Sequence, residues 1–451
     1  MAAPSPHDID GASLSLWWGL PFSGLLLSIA IVPLVAPKLW HAHYGKLSAA
    51  WAAALAVPFA TSFGASIAMH EVLHALLIEY IPFIAVLFAL FTIASGICLR
   101  GNFRATPAFN TGLLALGATL ASVMGTTGAS MLLIRPLLTA NEGRRHRAHA
   151  VVFFIVLVGN AGGALSPLGD PPLFIGFLKG VDFFWTTRTL LWPTVLLVAV
   201  LLAVFHVVDR MLFRREPDWL AGETGPVRIG LEGSGNLLLL AGVVGVVLMS
   251  GLWKPGVTID VLGTPLELQN VTRDILLVAL AIASLAITAT EIRSHNAFHW
   301  APIVEVAKIF AAIFITIIPV LEILAAGRNG ALGWLAQIVT RADGSLDNGA
   351  LFWITGLLSA FLDNAPTYLV FFNLAGGDAT ALMGPEAATL AAISMGAVYF
   401  GALTYVGNAP NFMIKAIAED RGIAMPSFFG YLGWAALLLV PLLFLIGSSI
   451  A

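Results

Sequence analysis

Two aspartates stand in stretches that are otherwise fit for hydrocarbon. Asp170 falls in "GNAGGALSPLGDPP" (159–172), and Asp363 falls inside "ITGLLSAFLDNAPTYLVFFNLA". Their neighbours are neutral oxygen donors: Asn160 and Ser166 near the first, Asn364 and Thr367 beside the second, and Thr404, Asn408 and Asn411 in "TYVGNAPN". A fourth polar island, "MGTTGAS", adds Thr126, Thr127 and Ser130 but no acid. Carboxylate, amide, hydroxyl and freed carbonyl oxygens suit a hard cation such as Na⁺ or Li⁺, and the breaks hold no Cys or Met cluster that would favour a soft one. A proton competes for the same oxygens, so alternate exposure of one such site is enough to exchange a cation for protons. An ionised side chain at mid-membrane depth costs roughly 3 kcal/mol, so each aspartate points to function before it points to a kink or a surface turn.

Other polar groups offer other chemistry. Glu79 and His74 could relay protons into the membrane. Glu305 and Lys308 are spaced i, i+3, so a helix would pair them on one face, either as a structural ion pair or in coupling; Glu322 follows in the same run. "HEVLH" (70–74) has the spacing of a helical zinc site, with His70 and His74 as ligands and Glu71 as base, which makes an intramembrane zinc protease the remote reading from another class. It stands at the outer end of an apolar span and no third ligand accompanies it.

The elements that must position these residues are membrane helices. The 451-residue chain is 59% hydrophobic and 10% charged with mean hydropathy +0.91, well above soluble domains. Its net charge of −3 gives no reason to expect a nucleic-acid partner, and a single cysteine, Cys98, excludes disulfides within the chain. The N-terminus, with Asp8 and Asp10 and no Lys or Arg, lacks the basic n-region of a cleaved signal, so the first apolar run is expected to remain as a span. Apolar blocks of membrane-crossing length predict an all-α polytopic protein with about ten transmembrane helices, near 15–36, 47–68, 80–99, 147–178, 187–209, 235–253, 274–292, 301–325, 387–417 and 426–448. Segments 108–139 and 349–375 carry a polar middle and read as re-entrant helical hairpins; 147–178 and 387–417 read as broken helices.

With both hairpins re-entrant, fifteen of the 22 Lys and Arg fall on one side, among them Arg104, Arg144, Arg210, Arg214 and Arg228, and six on the other. The rich side is then cytoplasmic and both termini lie outside. The order hairpin, broken helix, closing span occurs twice, in 1–215 and in 216–451. "SVMGTTGASMLLIRPLL" (122–138) is placed like "SAFLDNAPTYLVFFNLA" (359–375), and Gly-Asn-Ala at 159–161 like Gly-Asn-Ala at 407–409. An odd number of spans in each half inverts the second, and inverted repeats with paired broken helices predict a secondary transporter with its site at the midplane.

"HALLIEYIPFIAVLFALFTIASGI", "GNAGGALSPLGDPPLFIGFLKG" and "SAFLDNAPTYLVFFNLAGGD" resemble a bacterial group of the ion transporter superfamily called sodium:proton antiporters, related to NhaD-type antiporters, arsenite permeases and citrate or dicarboxylate transporters. The resemblance spans most of the chain. It implies a bacterial inner-membrane homodimer with a scaffold domain and an elevator-like transport domain. It places ion-site positions at Asn160, Ser166, Asp170, Asp363, Asn364 and Asn408, and Glu79 at a membrane glutamate. The chain departs from its relatives in having "GTTGAS" at the first hairpin tip and "GDPPL" after the first break. No cofactor is expected, the ions being substrates. The leading expectation is Na⁺/H⁺ antiport, with Na⁺- or H⁺-driven citrate or dicarboxylate uptake second, for which the amides, hydroxyls and helix N-termini would serve, and arsenite export third.

Overall fold

The computed structural model describes residues 9–101, 103, 106–216 and 229–450. Asp8, Arg104, Arg228 and both chain ends lie outside the described residues, so the side on which the termini emerge stays an expectation.

Helices dominate. They run α1 Leu20–Val35, α2 Pro37–Phe63, α3 Ala65–His74, α4 Ile81–Ala94, α5 Pro107–Met124, α6 Thr126–Ala140, α7 Ala148–Leu157, α8 Pro171–Leu178, α9 Trp185–Phe213, α10 Gly235–Leu252 and α11 Leu268–Ile287. The chain continues through α12 Thr290–His295, α13 Ala301–Thr316, α14 Ile318–Ala325, α15 Gly333–Ile338, α16 Asn348–Leu362, α17 Asn364–Leu374, α18 Ala379–Met383, α19 Ala387–Phe400, α20 Ala409–Asp420 and α21 Phe428–Ile450. Two short antiparallel ribbons interrupt the helices: β1 Cys98–Gly101 with β2 Ile229–Glu232, and β3 Thr258–Val261 with β4 Thr264–Glu267.

Among the described residues, eight helical runs are long and apolar enough to cross a membrane, nine if α13 and α14, bent by 42° at Ile317, count as one. The sequence predicts about ten; seven of the eight runs fall at expected spans, and the eighth is α5, the first arm of the hairpin read at 108–139. Helix α2 carries Lys38, His41, His43 and Lys46 along its first half, and the apolar run ending at Leu403 begins only at Ala387, so neither meets the length and apolarity needed. One run is longer than expected. A π-helical turn, Ala75–Tyr80, joins α3 to α4, so the HEVLH residues belong to a continuous stretch from Ala65 to Ala94.

Both hairpins form as helical pairs, while α5 alone is among the eight runs able to cross a membrane, so re-entrance stays an expectation. Helices α5 and α6 pack together across Gly125, and α16 and α17 across Asp363. The proline-rich breaks also form. After α7 the chain makes a short 3-10 helix at Ala161–Leu165, is extended at Ser166 and Asp170 with a hydrogen-bonded turn between them, and restarts as α8 with Pro171 in its first turn, where a missing N–H is harmless. After α19 it repeats this with a 3-10 turn at Gly401–Leu403, an extended Thr404 and Asn408, and Pro410 in the first turn of α20.

The repetition has a single register. Gly125 (φ 80, ψ 151) matches Asp363 (φ 75, ψ 139), Ser166 (−148, 160) matches Thr404 (−132, 166), and Asp170 (−140, 142) matches Asn408 (−153, 141), each 238 positions apart. This corrects the pairing read from the letters. The two Gly-Asn-Ala triplets are not equivalent: Asn408 takes the place of Asp170, and Val398 that of Asn160. The hairpins likewise align Ser122 with Ala360, one residue off the match by letters.

Candidate ion site where two hairpin tips meet two helix breaks

Glycine lets the broken strands cross. A Cβ on Gly169 would sit 2.0 Å from the carbonyl oxygen of Gly163, and one on Gly407 would sit 2.7 Å from that of Gly401, so both loops close to backbone contact. Each loop is then stitched to its own hairpin. The Ser166 hydroxyl donates to the carbonyl of Ser122, and the Thr404 hydroxyl to that of Ala360. In the first half, the Ser122 hydroxyl also donates to Gly162 O at 2.5 Å and the Thr126 amide to Gly169 O at 2.9 Å.

This brings four separate segments onto one carboxylate. Asp170, 1% exposed, accepts at Oδ1 from the Thr126 hydroxyl (3.2 Å) and from Asn408 Nδ2 (2.9 Å), and at Oδ2 from Asn364 Nδ2 (2.6 Å). Its donors come from the first tip, the second break and the second tip. All three are neutral, so no cationic side chain neutralises Asp170 through these bonds. The Asn364 carbonyl Oδ1, on a residue with no exposed surface, has no hydrogen-bond partner among the described residues. A buried acceptor left bare is costly, which makes the Asn364 carbonyl a candidate ligand atom.

A second layer of amides supports the first. Asn160 Nδ2 donates to Asn411 Oδ1 (2.7 Å) and to Ile155 O (2.8 Å), while its own Oδ1 accepts from Asn408 Nδ2 (3.2 Å). Asn411 Nδ2 spans Gly401 O and Thr404 O, both at 2.8 Å. Asn160 and Asn411 therefore hold the two breaks together and set the angle of Asn408; Asn160 is reached through another amide rather than touching Asp170. Asp363, next to Asn364, is half-buried; its Oδ1 accepts from the Ala365 amide (3.2 Å) and its carbonyl from the Thr367 hydroxyl (2.7 Å). Thr127 is half-buried beside Thr126.

The remaining candidates fall elsewhere. Glu79, in the π-helical turn, meets Lys179 Nζ at 2.5 Å, just past the end of α8; this lysine was not singled out in the sequence, although it sits in the same quoted stretch as Asp170. His74 is exposed. Glu305 and Lys308 do not pair with each other. Helix α2 packs on α13 and supplies both partners: Trp40 Nε1 donates to Glu305 Oε1 at 2.9 Å, and Lys308 Nζ lies 5.5 Å from the ring centre of Tyr44. Among the described residues no group of three His, Cys, Asp or Glu side chains assembles that could hold a metal, at HEVLH or elsewhere.

One charged cluster escaped the sequence reading altogether. Asp209, buried near the end of α9, accepts from Arg144 (2.6 Å), His149 (2.8 Å) and Asn110 (3.0 Å), and Asn141 links Asn110 to Arg144. The signal available was an acid and a histidine inside apolar runs.

Paired helical breaks closing on a buried carboxylate, within a chain of membrane-crossing helices, are the build of an integral membrane transporter. The chain belongs to a family described as "putative citrate transport", whose model matches residues 11–450. It is also similar to two uncharacterized transporters, from Mycobacterium bovis and Mycobacterium tuberculosis. Each is 26% identical over 321 residues, covering 69% of this chain and 69% of the relative. Family and relatives are transporters and not enzymes, which removes the protease reading of HEVLH.

Proposed function

We propose that this protein is an ion-coupled secondary transporter that exchanges Na⁺ or Li⁺ for H⁺ at Asp170 and Asp363. The observation that carries the reading is Asp170: a buried carboxylate with three neutral donors, beside the bare carbonyl of Asn364. With Asn364 Nδ2 toward it, the carboxylate accepts a third hydrogen bond. Rotating that amide by half a turn presents Oδ1 instead, which a protonated Asp170 can donate to and a cation can bind. One side chain thereby serves both loaded forms, with Asp363 adding the second charge. The two halves act as inverted repeats, so the crossing lies at mid-membrane, where alternating access exposes it to either side. Hairpins and broken helices form the moving unit of a homodimer in a bacterial inner membrane, both termini outside.

Citrate or dicarboxylate uptake is the second reading, favoured by the description of the family. Two aspartates at the crossing disfavour a bare anion there, so the carboxylate would arrive with a cation.

Proteoliposomes holding a pH dye separate the two. Added Na⁺ is expected to move protons, citrate is not, and Asp363→Asn is expected to abolish the response. Labelled citrate uptake without Na⁺ that survives Asp363→Asn, with no Na⁺-driven proton movement in the parent, would overturn the exchange reading.

A further inference from the structure

Where α9 leaves its apolar stretch, the chain carries three arginines, Arg210, Arg214 and Arg215. Two of them, with His206 and Phe213, line an open surface pocket of about 320 Å³ together with Thr106 and Pro107 at the start of α5. Arg210 and Arg214 are exposed, and neither guanidinium has a hydrogen bond or ion pair among the described residues. At i, i+4 on one helix face these like charges repel, an arrangement that an anion between them would relieve.

The acids nearby among the described residues are already committed. Asp209 is taken by Arg144, His149 and Asn110, and Glu216 by the backbone amides of Arg145 and His146. The walls are also fixed in place. Asn110 to Asp209 and Thr111 to His206, both at 3.0 Å, tie the first turn of α5 to the end of α9, and the Arg144 guanidinium lies 5.4 Å from the centre of the Phe213 ring that lines the cavity. Two arginines with no ion pair among the described residues, on a braced wall, offer the paired N–H donors through which guanidinium groups bind phosphate.

The depth of the cavity says which phosphate. Val207 and Met211, on the same helix, are exposed and apolar, so the arginines begin where the lipid-facing surface ends, at headgroup level. They also lie on the side that the arginine bias marks as cytoplasmic, where basic pockets between helices take anionic lipid headgroups. We propose that this cavity binds the phosphate of an anionic phospholipid, with Arg210 and Arg214 as its ligands. This site is separate from the Asp170 crossing and stands whichever substrate is carried.

Native mass spectrometry of the full chain, released from micelles containing phosphatidylglycerol, phosphatidylcholine or inorganic phosphate, tests it alongside thermal unfolding. The parent is expected to retain phosphatidylglycerol over phosphatidylcholine and to unfold at a higher temperature with it. Arg210→Gln/Arg214→Gln is expected to bind roughly thirtyfold more weakly, at about fivefold for each arginine near the membrane surface. Arg188→Gln, on the other expected face, is expected to bind like the parent. If the double variant does not fold, Arg214→Gln alone, at an exposed position past the helix end, reads the fivefold step. Equal retention of phosphatidylglycerol by parent and variant overturns the proposal, as does equal binding of phosphatidylcholine. A thermal shift reproduced by inorganic phosphate alone overturns the assignment to lipid.

Discussion

Asp363 holds a backbone conformation that glycine holds at the matching place, Gly125. With φ of 75° and ψ of 139°, the residue lies near a region that is nearly glycine-only and costs about 1–3 kcal/mol for any other residue. Its carboxylate recovers part of this by capping the Ala365 amide, a contact worth about 0.5–2 kcal/mol against alanine and only a few tenths against glycine. Stability alone would therefore select glycine here, and a retained aspartate argues for its charge. Asp363→Gly is expected to unfold at or above the temperature of the parent and Asp363→Ala below it, while both lose Na⁺-driven proton movement. Thermal unfolding and the dye assay on the same preparations check this; a Gly variant with full exchange would remove Asp363 from the site. At this scale the sequence was informative where a residue type clashed with its surroundings, as Asp170 and Asp363 do. It was misleading where a pair was inferred from spacing within one helix, because α2 supplies Trp40 to Glu305, 265 residues away, and Tyr44 to Lys308.

The two hairpins are anchored unequally. The first has both feet, Asn110 on α5 and Asn141 just after α6, tied into the Arg144–Asp209–His149 cluster, whose charged side chains are almost wholly buried. At the matching foot of the second, Asn348 meets Thr389 in one neutral hydrogen bond of 2.8 Å. Removing one member of a buried ion pair strands the other and costs about 3–5 kcal/mol, whereas a single neutral hydrogen bond contributes about 1 kcal/mol. Asp209→Ala is thus expected to lower the unfolding temperature several times more than Thr389→Val, as scanning fluorimetry in detergent would show; comparable shifts would mean that the cluster does not anchor the hairpin. The breaks themselves were legible, since prolines and glycines in apolar runs cannot continue a helix. Their mutual register was not. Identical letters at the two Gly-Asn-Ala triplets suggested one alignment, and backbone dihedrals give another, because equivalence follows the path of the chain and not residue identity.

At the scale of the whole molecule, an ion pair connects the α3–α4 span to the end of the first broken helix: Glu79 with Lys179. If the hairpins and broken helices move as a unit against that span, the pair must open in each cycle. Glu79→Gln and Lys179→Gln are each expected to alter the exchange rate, and the double variant to match either single one, the mark of a shared contact in a double-mutant cycle. Additive effects would show that the two act independently. Composition and local chemistry were enough to establish membrane helices, two hairpins, two breaks and the oxygen-rich residues at each, because those follow from hydrophobicity and from what proline and glycine forbid at short range. Packing was needed to show that Asp170 is the point on which four distant segments converge, that Asn364 keeps a bare carbonyl there, and that Arg144, His149 and Asp209 form one cluster. Such contacts join residues tens to hundreds of positions apart, and nothing in the local pattern of either partner specifies the other.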